Sequence, residues 1–377
     1  MSLLSWAGSA QAQRLAAAKV RKAKSADSST CAAAILVEAQ TGKVLFAYNA
    51  DQPRQPASTQ KLLLELVVMD ALAAGEVSLD DTVRVSAEAS RINGSQVFLR
   101  EGEALSLRKM MEAVAVASAN DACVAVAEHL AGTEANFVAR MNAKARELGL
   151  EHTHCANSYG LDNAPAGQGN VTTSYELSQI ALALLRQYPE VLQWSSLRQT
   201  PFREGTQTLH STNKLLDRLE GMDGLKTGFT SRAGFCLVGT AQRRGMRLVS
   251  VVLGARNSRV RERETVRLLE WGFEHYAKVP LAEAGQSMGL VNLDWGAEPA
   301  VNAVFSNPLA VVLRTEQKRQ LKSELQLPPK HPAPVRQGQG LGKFKVSLGD
   351  SLLAEVDLVA EKSVERVGLW ERLMSYF

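Results

Sequence analysis

No stretch of the 377 residues approaches the run of about 20 apolar side chains that crosses a bilayer as a helix, so no spanning helix is expected. Neither sign of charge dominates. The 43 Lys and Arg stand against 39 Asp and Glu, a net +4 too small and too scattered for nucleic acid to be the main partner. The densest basic stretch, Arg14 to Lys24, reads as a solvated leader or short helix, with attraction to an anionic surface as the functional alternative. Cysteine is sparse: Cys31, Cys123, Cys155 and Cys236 form no Cys-x-x-Cys pair. At 45% hydrophobic residues the chain has core enough to fold without a disulfide framework, so mostly free, buried thiols are expected. His152-Thr153-His154-Cys155 has metal-binding residue types, but ligands this close on one segment need distant partners, so neither a metal nor a cofactor is expected. There is no internal repeat.

What is present divides the chain into four parts. Residues 1–28 read as a leader. Gly8-Ser9-Ala10-Gln11-Ala12 resembles the end of an export signal without its charged and apolar parts, and unstructured residues of a cytosolic protein are the alternative. Residues 29–278 open with two apolar runs, Cys31 to Tyr48, around Gln40-Thr41-Gly42-Lys43, which is a hairpin signal. A second strand group is expected over Gly234 to Thr240 and Arg247 to Leu253, turning at Arg243-Arg244-Gly245 and pairing with the first in one antiparallel sheet. Between the groups, Ser58 to Ala74, Ser106 to Leu130, Ala135 to Leu148 and Thr173 to Arg186 have helical spacing, as does Val260 to Tyr276 after them. This predicts an α/β body, an antiparallel sheet flanked by helices with an all-helical subdomain, and a cleft at the junction. Residues 279–360 read as a small all-β domain of short alternating runs (Gly289 to Leu293, Leu309 to Arg314, Gly342 to Leu348, Leu352 to Val359), interrupted by Pro328 to Pro332. In residues 361–377, Val364, Val367, Trp370, Met374 and Phe377 form one helical stripe, either a helix docked on the β-domain or one lying in a membrane interface.

Three short strings carry chemistry: Ser58-Thr59-Gln60-Lys61, Ser118-Ala119-Asn120 and Lys226-Thr227-Gly228. The first two types recur, at Ser106 to Lys109, Ser211 to Lys214 and Ser211-Thr212-Asn213, so order, spacing and context bear the weight. A serine hydroxyl needs a neighbouring base to become a nucleophile. Three residues apart on a helix, Ser58 and Lys61 share a face. After Pro56-Ala57, Ser58 is expected in the first turn, where free N–H groups favour developing negative charge. Lys61 acts as a base only when neutral, which burial and a second cation, Lys226, would promote. The plain alternative is a capping serine with Lys61 on a solvated face. Ser118 and Asn120 interrupt an apolar helical stretch and need polar partners, Ser118 to relay a proton and Asn120 to hold a substrate carbonyl. Lys226 and Thr227 offer a charge and a hydroxyl to a carboxylate, and Gly228 admits an extended substrate.

This motif set resembles that of the penicillin-recognising serine enzymes. It is most similar to the low-molecular-mass penicillin-binding proteins that act as D-alanyl-D-alanine carboxypeptidases, the penicillin-binding protein 5/6 type. The resemblance rests also on Pro56-Ala57-Ser58, Asp121-Ala122-Cys123, Asn157 to Asp162, Thr212 to Leu216, Asp223-Gly224-Leu225, Ala233-Gly234-Phe235 and Gly254-Ala255-Arg256. It covers roughly Cys31 to Tyr276 and continues more weakly into the β-rich part. It implies removal of terminal D-alanine from peptidoglycan stem pentapeptides through an acyl-enzyme on Ser58, with Lys61 and Ser118 as the other catalytic residues. Asn120, Lys226, Thr227, Gly228 and Arg256 would bind substrate, and the N–H groups of Ser58 and Phe229 would hold the oxyanion. It also implies covalent inhibition by β-lactam antibiotics, no cofactor, export to the periplasm or outer face of the membrane, and peripheral membrane contact through the tail. Two stretches depart from the pattern, Leu64-Glu65, expected to alter packing only, and the lengthened loop Asn163 to Asn170; Cys123, close to Asn120, is expected as a small core residue. The enzymatic alternative, a serine β-lactamase, usually has a glutamate in a Glu-x-x-Leu-Asn setting, where this chain has Asn157 to Asp162. A penicillin or wall-peptide sensor is the non-enzymatic alternative.

Overall fold

The computed structural model describes residues 30–162 and 168–368. The expected leader and part of the lengthened loop lie outside these residues. The chain divides into two compact units, Met1–Phe273 and Glu274–Phe377.

The first unit is organised on a five-stranded antiparallel sheet in the order β2-β1-β9-β8-β7. Its strands are β1 (Ala33–Glu38), β2 (Val44–Tyr48), β7 (Met222–Thr230), β8 (Gly234–Arg243) and β9 (Met246–Ala255). The omitted numbers are two small hairpins, β3 (Thr82–Arg84) with β4 (Ala104–Ser106) and β5 (Gln199–Phe202) with β6 (Gln207–His210). Strand β1 pairs with β9 from Ala33 opposite Leu253 to Glu38 opposite Leu248, as the two sequence-distant strand groups predict. All six of its residues are buried, because a central strand covered on both faces reads as a continuous apolar run. One difference matters to the site. Lys226-Thr227-Gly228 does not lead into the strand group; it lies within β7, the edge strand.

The helices are α1 (Lys61–Ala73), α2 (Ala87–Ser90), α3 (Leu107–Val116), α4 (Asn120–Ala131), α5 (Glu134–Glu147), α6 (Ser174–Gln187), α7 (Leu192–Ser195) and α8 (Ser258–His275). Serine or threonine hydroxyls cap four of them: Ser86 accepts from the Ala89 N–H, Ser106 from Lys109, Thr133 from Asn136 and Thr173 from Glu176. Helix α1 is apolar nearly all round and sits inside the core between α6, α5 and β7. The stretch from Ser106 to Leu130 is two helices, broken at Ala117 to Ala119. Helix α8 approaches the sheet closely at Gly272, where a Cβ would stand 2.6 Å from Leu248 and 2.8 Å from Leu36.

The second unit holds β10 (Tyr276–Ala282), β11 (Ser287–Asp294), β12 (Ala300–Phe305), β13 (Leu309–Arg314), β14 (Leu321–Gln326), β15 (Lys330–Pro332), β16 (Gly340–Leu348) and β17 (Ser351–Ala360). Six of them form one sheet, β14-β16-β17-β12-β11-β15, and β10 pairs with β13. Its own core includes Phe305 and Phe344, edge to face at 5.3 Å. The expected tail helix does not begin at Ser363. Residues 363–368 are extended: Val364 is buried and bridges to Val335, and the Val367 N–H bonds to the Trp295 carbonyl. Val364 and Val367 therefore belong to no helical stripe, and Trp370, Met374 and Phe377 lie outside the described residues.

Candidate active site

Ser58 lies in a short 3-10 turn, Ala57–Gln60, which hands over to α1 at Lys61. The α-helix thus starts three residues later than Ser58, yet the turn keeps the spacing that matters. Lys61 is 0% exposed, and its Nζ stands 2.8 Å from Ser58 Oγ, 2.7 Å from Asn120 Oδ1, 2.9 Å from the Tyr159 carbonyl and 3.4 Å from Ser118 Oγ. A neutral amine has two N–H bonds and one lone pair. The Asn120 and Tyr159 carbonyl oxygens can only accept, so they take the two N–H groups and leave the lone pair directed at the Ser58 hydroxyl. The solvated-face alternative for Lys61 is thereby overturned.

Backbone strain frames the two serines. Ala57 has φ +49° and Ser118 has φ +60°, left-handed values that cost a residue with a side chain roughly 1–2 kcal/mol. The Asn120 amide is oriented by donating to the Asn93 carbonyl at 2.7 Å, and Gly94 lies where a Cβ would stand 2.6 Å from Asn120 Nδ2. Next to it, the buried Asp121 carboxylate accepts from the Val97 and Leu99 N–H groups, tying their loop to the start of α4. Gly160 presses on the nucleophile turn, with a Cβ there falling 2.1 Å from the Ala57 carbonyl oxygen.

Strand β7 forms the opposite wall. Lys226 is 1% exposed, and Thr227 Oγ1 donates to Thr212 Oγ1 at 2.6 Å. At Gly228 a Cβ would stand 2.9 Å from the Ser58 nitrogen and 3.0 Å from that of Thr59. The glycine expected to admit substrate is thus required first by the turn itself, and the same approach brings the Ser58 N–H beside β7 next to Phe229. Phe229 is 53% exposed, stacks on Phe235 at 4.2 Å and lines a cavity of about 540 Å³ with Arg54, Arg232 and Arg256. Arg256 is exposed there and is not drawn into the hydrogen-bonded cluster around Lys61.

Burial holds Lys61 below its usual lysine range, against the opposing pull of Cys123, Glu65 and Asp121. Lys226 is likewise lowered by burial, and then by the Lys61 charge. Burial, not a second cation, is therefore the main cause at Lys61. The Cys123 thiol is pushed up to about 12, again by burial, and donates to the Ala119 carbonyl at 3.1 Å, as a small core residue does.

Four contributors were missed in the sequence. Tyr159 acts through a main-chain carbonyl, which no side-chain pattern signals. Asn93 is an isolated loop residue. Thr212 lies in Ser211-Thr212-Asn213, a string that looks like a chance recurrence of the second motif. Glu65, expected to affect packing alone, is buried in the field of both lysines.

A serine hydroxyl facing a buried lysine, with a second lysine on an adjoining edge strand, defines the penicillin-recognising class of acyl-transferring serine enzymes. Family comparison refines this. Residues 20–257 match the D-alanyl-D-alanine carboxypeptidase model, and residues 276–366 match the penicillin-binding protein 5 C-terminal domain. The chain belongs to the D-alanyl-D-alanine carboxypeptidase family. It is 33% identical to the carboxypeptidase DacF of Bacillus subtilis over 339 residues, 89% of this chain and 86% of the relative. Penicillin-binding protein 5 of Haemophilus influenzae is similar in structure, with TM-score 0.78 and 29% identity over 91% of this chain and all of that one. Penicillin-binding protein D2 of Listeria monocytogenes, solved in an ampicillin-bound form, matches 64% of this chain and 97% of its own at TM-score 0.59 and 34% identity.

Proposed function

We propose that the chain hydrolyses the terminal peptide bond of stem peptides ending in D-Ala-D-Ala. Ser58 Oγ attacks the carbonyl between the two D-alanines while its proton passes to the Lys61 lone pair. The oxyanion rests between the N–H groups of Ser58 and Phe229. As the C–N bond breaks, Ser118 relays the proton to the departing amine, D-alanine leaves, and water then cleaves the ester on Ser58. Asn120 holds a substrate carbonyl. Lys226, Thr227 and Arg256 meet the terminal carboxylate along β7, with Gly228 keeping the strand close to the nucleophile.

A β-lactam presents a strained amide beside a carboxylate, so penicillins acylate Ser58 in the same geometry. The wall peptide lies outside the cytoplasmic membrane. The reading therefore includes export to the periplasm or outer membrane face, with the apolar residues Trp370, Met374 and Phe377 as the peripheral membrane contact. The observation that carries the reading is the Lys61 amine, buried and 2.8 Å from Ser58 Oγ, with the acceptor oxygens of Asn120 and Tyr159 beside it. Incubation with a pentapeptide ending in D-Ala-D-Ala should release one D-alanine per peptide from the parent and none from Ser58→Ala. Release by the variant, or cleavage elsewhere in the peptide, would refute it.

A further inference from the structure

Glu65 lies four residues beyond Lys61, so both project from the same face of α1 one helical turn apart. It is 2% exposed. Burying a carboxylate is costly unless opposite charge accompanies it. Burial raises its carboxyl to about 7, against the opposing pull of Lys226 on β7, the strand packed against that helix, and of Lys61 on α1, so it carries its charge above neutral pH. From α4, Cys123 acts on both lysines and Asp121 on Lys61, and from α8 Arg261 acts on Lys226. The Asp121 carboxylate is committed to the N–H groups of Val97, Leu99 and Ala122. The Cys123 thiol is protonated at neutral pH. No hydrogen bond among the described residues engages Glu65, which leaves its charge free to act through space on both ammonium groups.

The proposed reaction needs the two lysines in opposite states. Lys61 must be neutral to take a proton, and Lys226 must be charged to bind a carboxylate. We propose that Glu65 is a positioning residue of that reaction, a buried countercharge that keeps Lys226 cationic while Lys61 gives up its proton. With Lys61 neutral, the Lys226 ammonium and the Glu65 carboxylate offset each other's charge through space within the buried cluster. Without Glu65, Lys226 would be an isolated buried cation and would lose its proton too.

Since this rests on the reaction proposed above, the test measures D-alanine release by the full chain between pH 5 and 10. In the parent, kcat/KM should rise with pH as Lys61 deprotonates and fall as Lys226 does. Glu65→Gln keeps the shape and removes a charge that the parent carries above neutral pH, so the alkaline limb, set by Lys226, should move to lower pH by about one pH unit. KM for the carboxylate-ended peptide should rise at alkaline pH while kcat at its optimum holds. Glu65→Ser removes charge and bulk and should move the same way; Glu65→Asp retains the charge and should keep the parental limbs. An unshifted alkaline limb in either folded neutral variant, or a shifted Asp variant, would overturn the role. Neutral variants that all fail to fold would make Glu65 structural and overturn it equally. A parent releasing no D-alanine would instead refute the reaction itself.

Discussion

At the scale of single residues, the site is built by surrounding one buried amine with oxygen partners. Lys61 is the centre of this arrangement, with four oxygens within 3.4 Å and no exposed surface. A general base of this kind contributes about 10² to 10⁴ to the rate. Lys61→Met should therefore lower the second-order rate of penicillin acylation by that factor, measured by stopped-flow on the folded variant. It should also lower the melting temperature, because Met leaves the buried Asn120 and Tyr159 carbonyl oxygens without their donor. A drop in acylation of less than tenfold would show that another group removes the Ser58 proton.

At the scale of elements, three pieces of irregular backbone do the positioning: the 3-10 turn at Ala57–Gln60, the break at Ala117 to Ala119, and the loop through Tyr159 and Gly160. Helical periodicity and capping signals locate α1, α3, α4 and α6 well, because those features are local and repeat. Strained turns leave no such trace. Ala57 and Ser118 hold left-handed φ values only because surrounding contacts impose them, and neither residue type announces it. Gly160 is the clearest lever on this layer, since its φ of +93° and its contact with Ala57 both exclude a side chain. Gly160→Ala should displace the nucleophile turn. A shift approaching 1 Å costs about 10² in rate, so kcat/KM should fall by that order while secondary structure by circular dichroism is retained. Full activity in the variant would mean that the loop does not set the position of Ser58.

At the scale of the whole molecule, the cluster around Lys61 lies entirely within the first unit, and the second has its own sheet and core. In the first unit β1, β2, β8, β9 and the longer helices were legible because apolar runs, turns and caps agree with one another, whereas β7 and the hairpins β3–β4 and β5–β6 were not. The second unit was less legible. Strands β10, β12, β14 and β15 escape a reading by alternation: β14 is exposed almost throughout, and β15 contains Pro332 at a sheet edge. Val364 reads as one member of a helical stripe, but its burial against Val335 assigns it to the β-domain. The three chemical strings, some 60 and 110 residues apart, are assembled by pairings that no local pattern reveals, and the account stands on that assembly making Ser58 the nucleophile. Intact mass of the full chain after exposure to benzylpenicillin tests this most directly. One covalent adduct on the parent, mapped to the peptide containing Ser58 and missing from Ser58→Ala, is the predicted result; an adduct that persists in Ser58→Ala, or none on the parent, would contradict it.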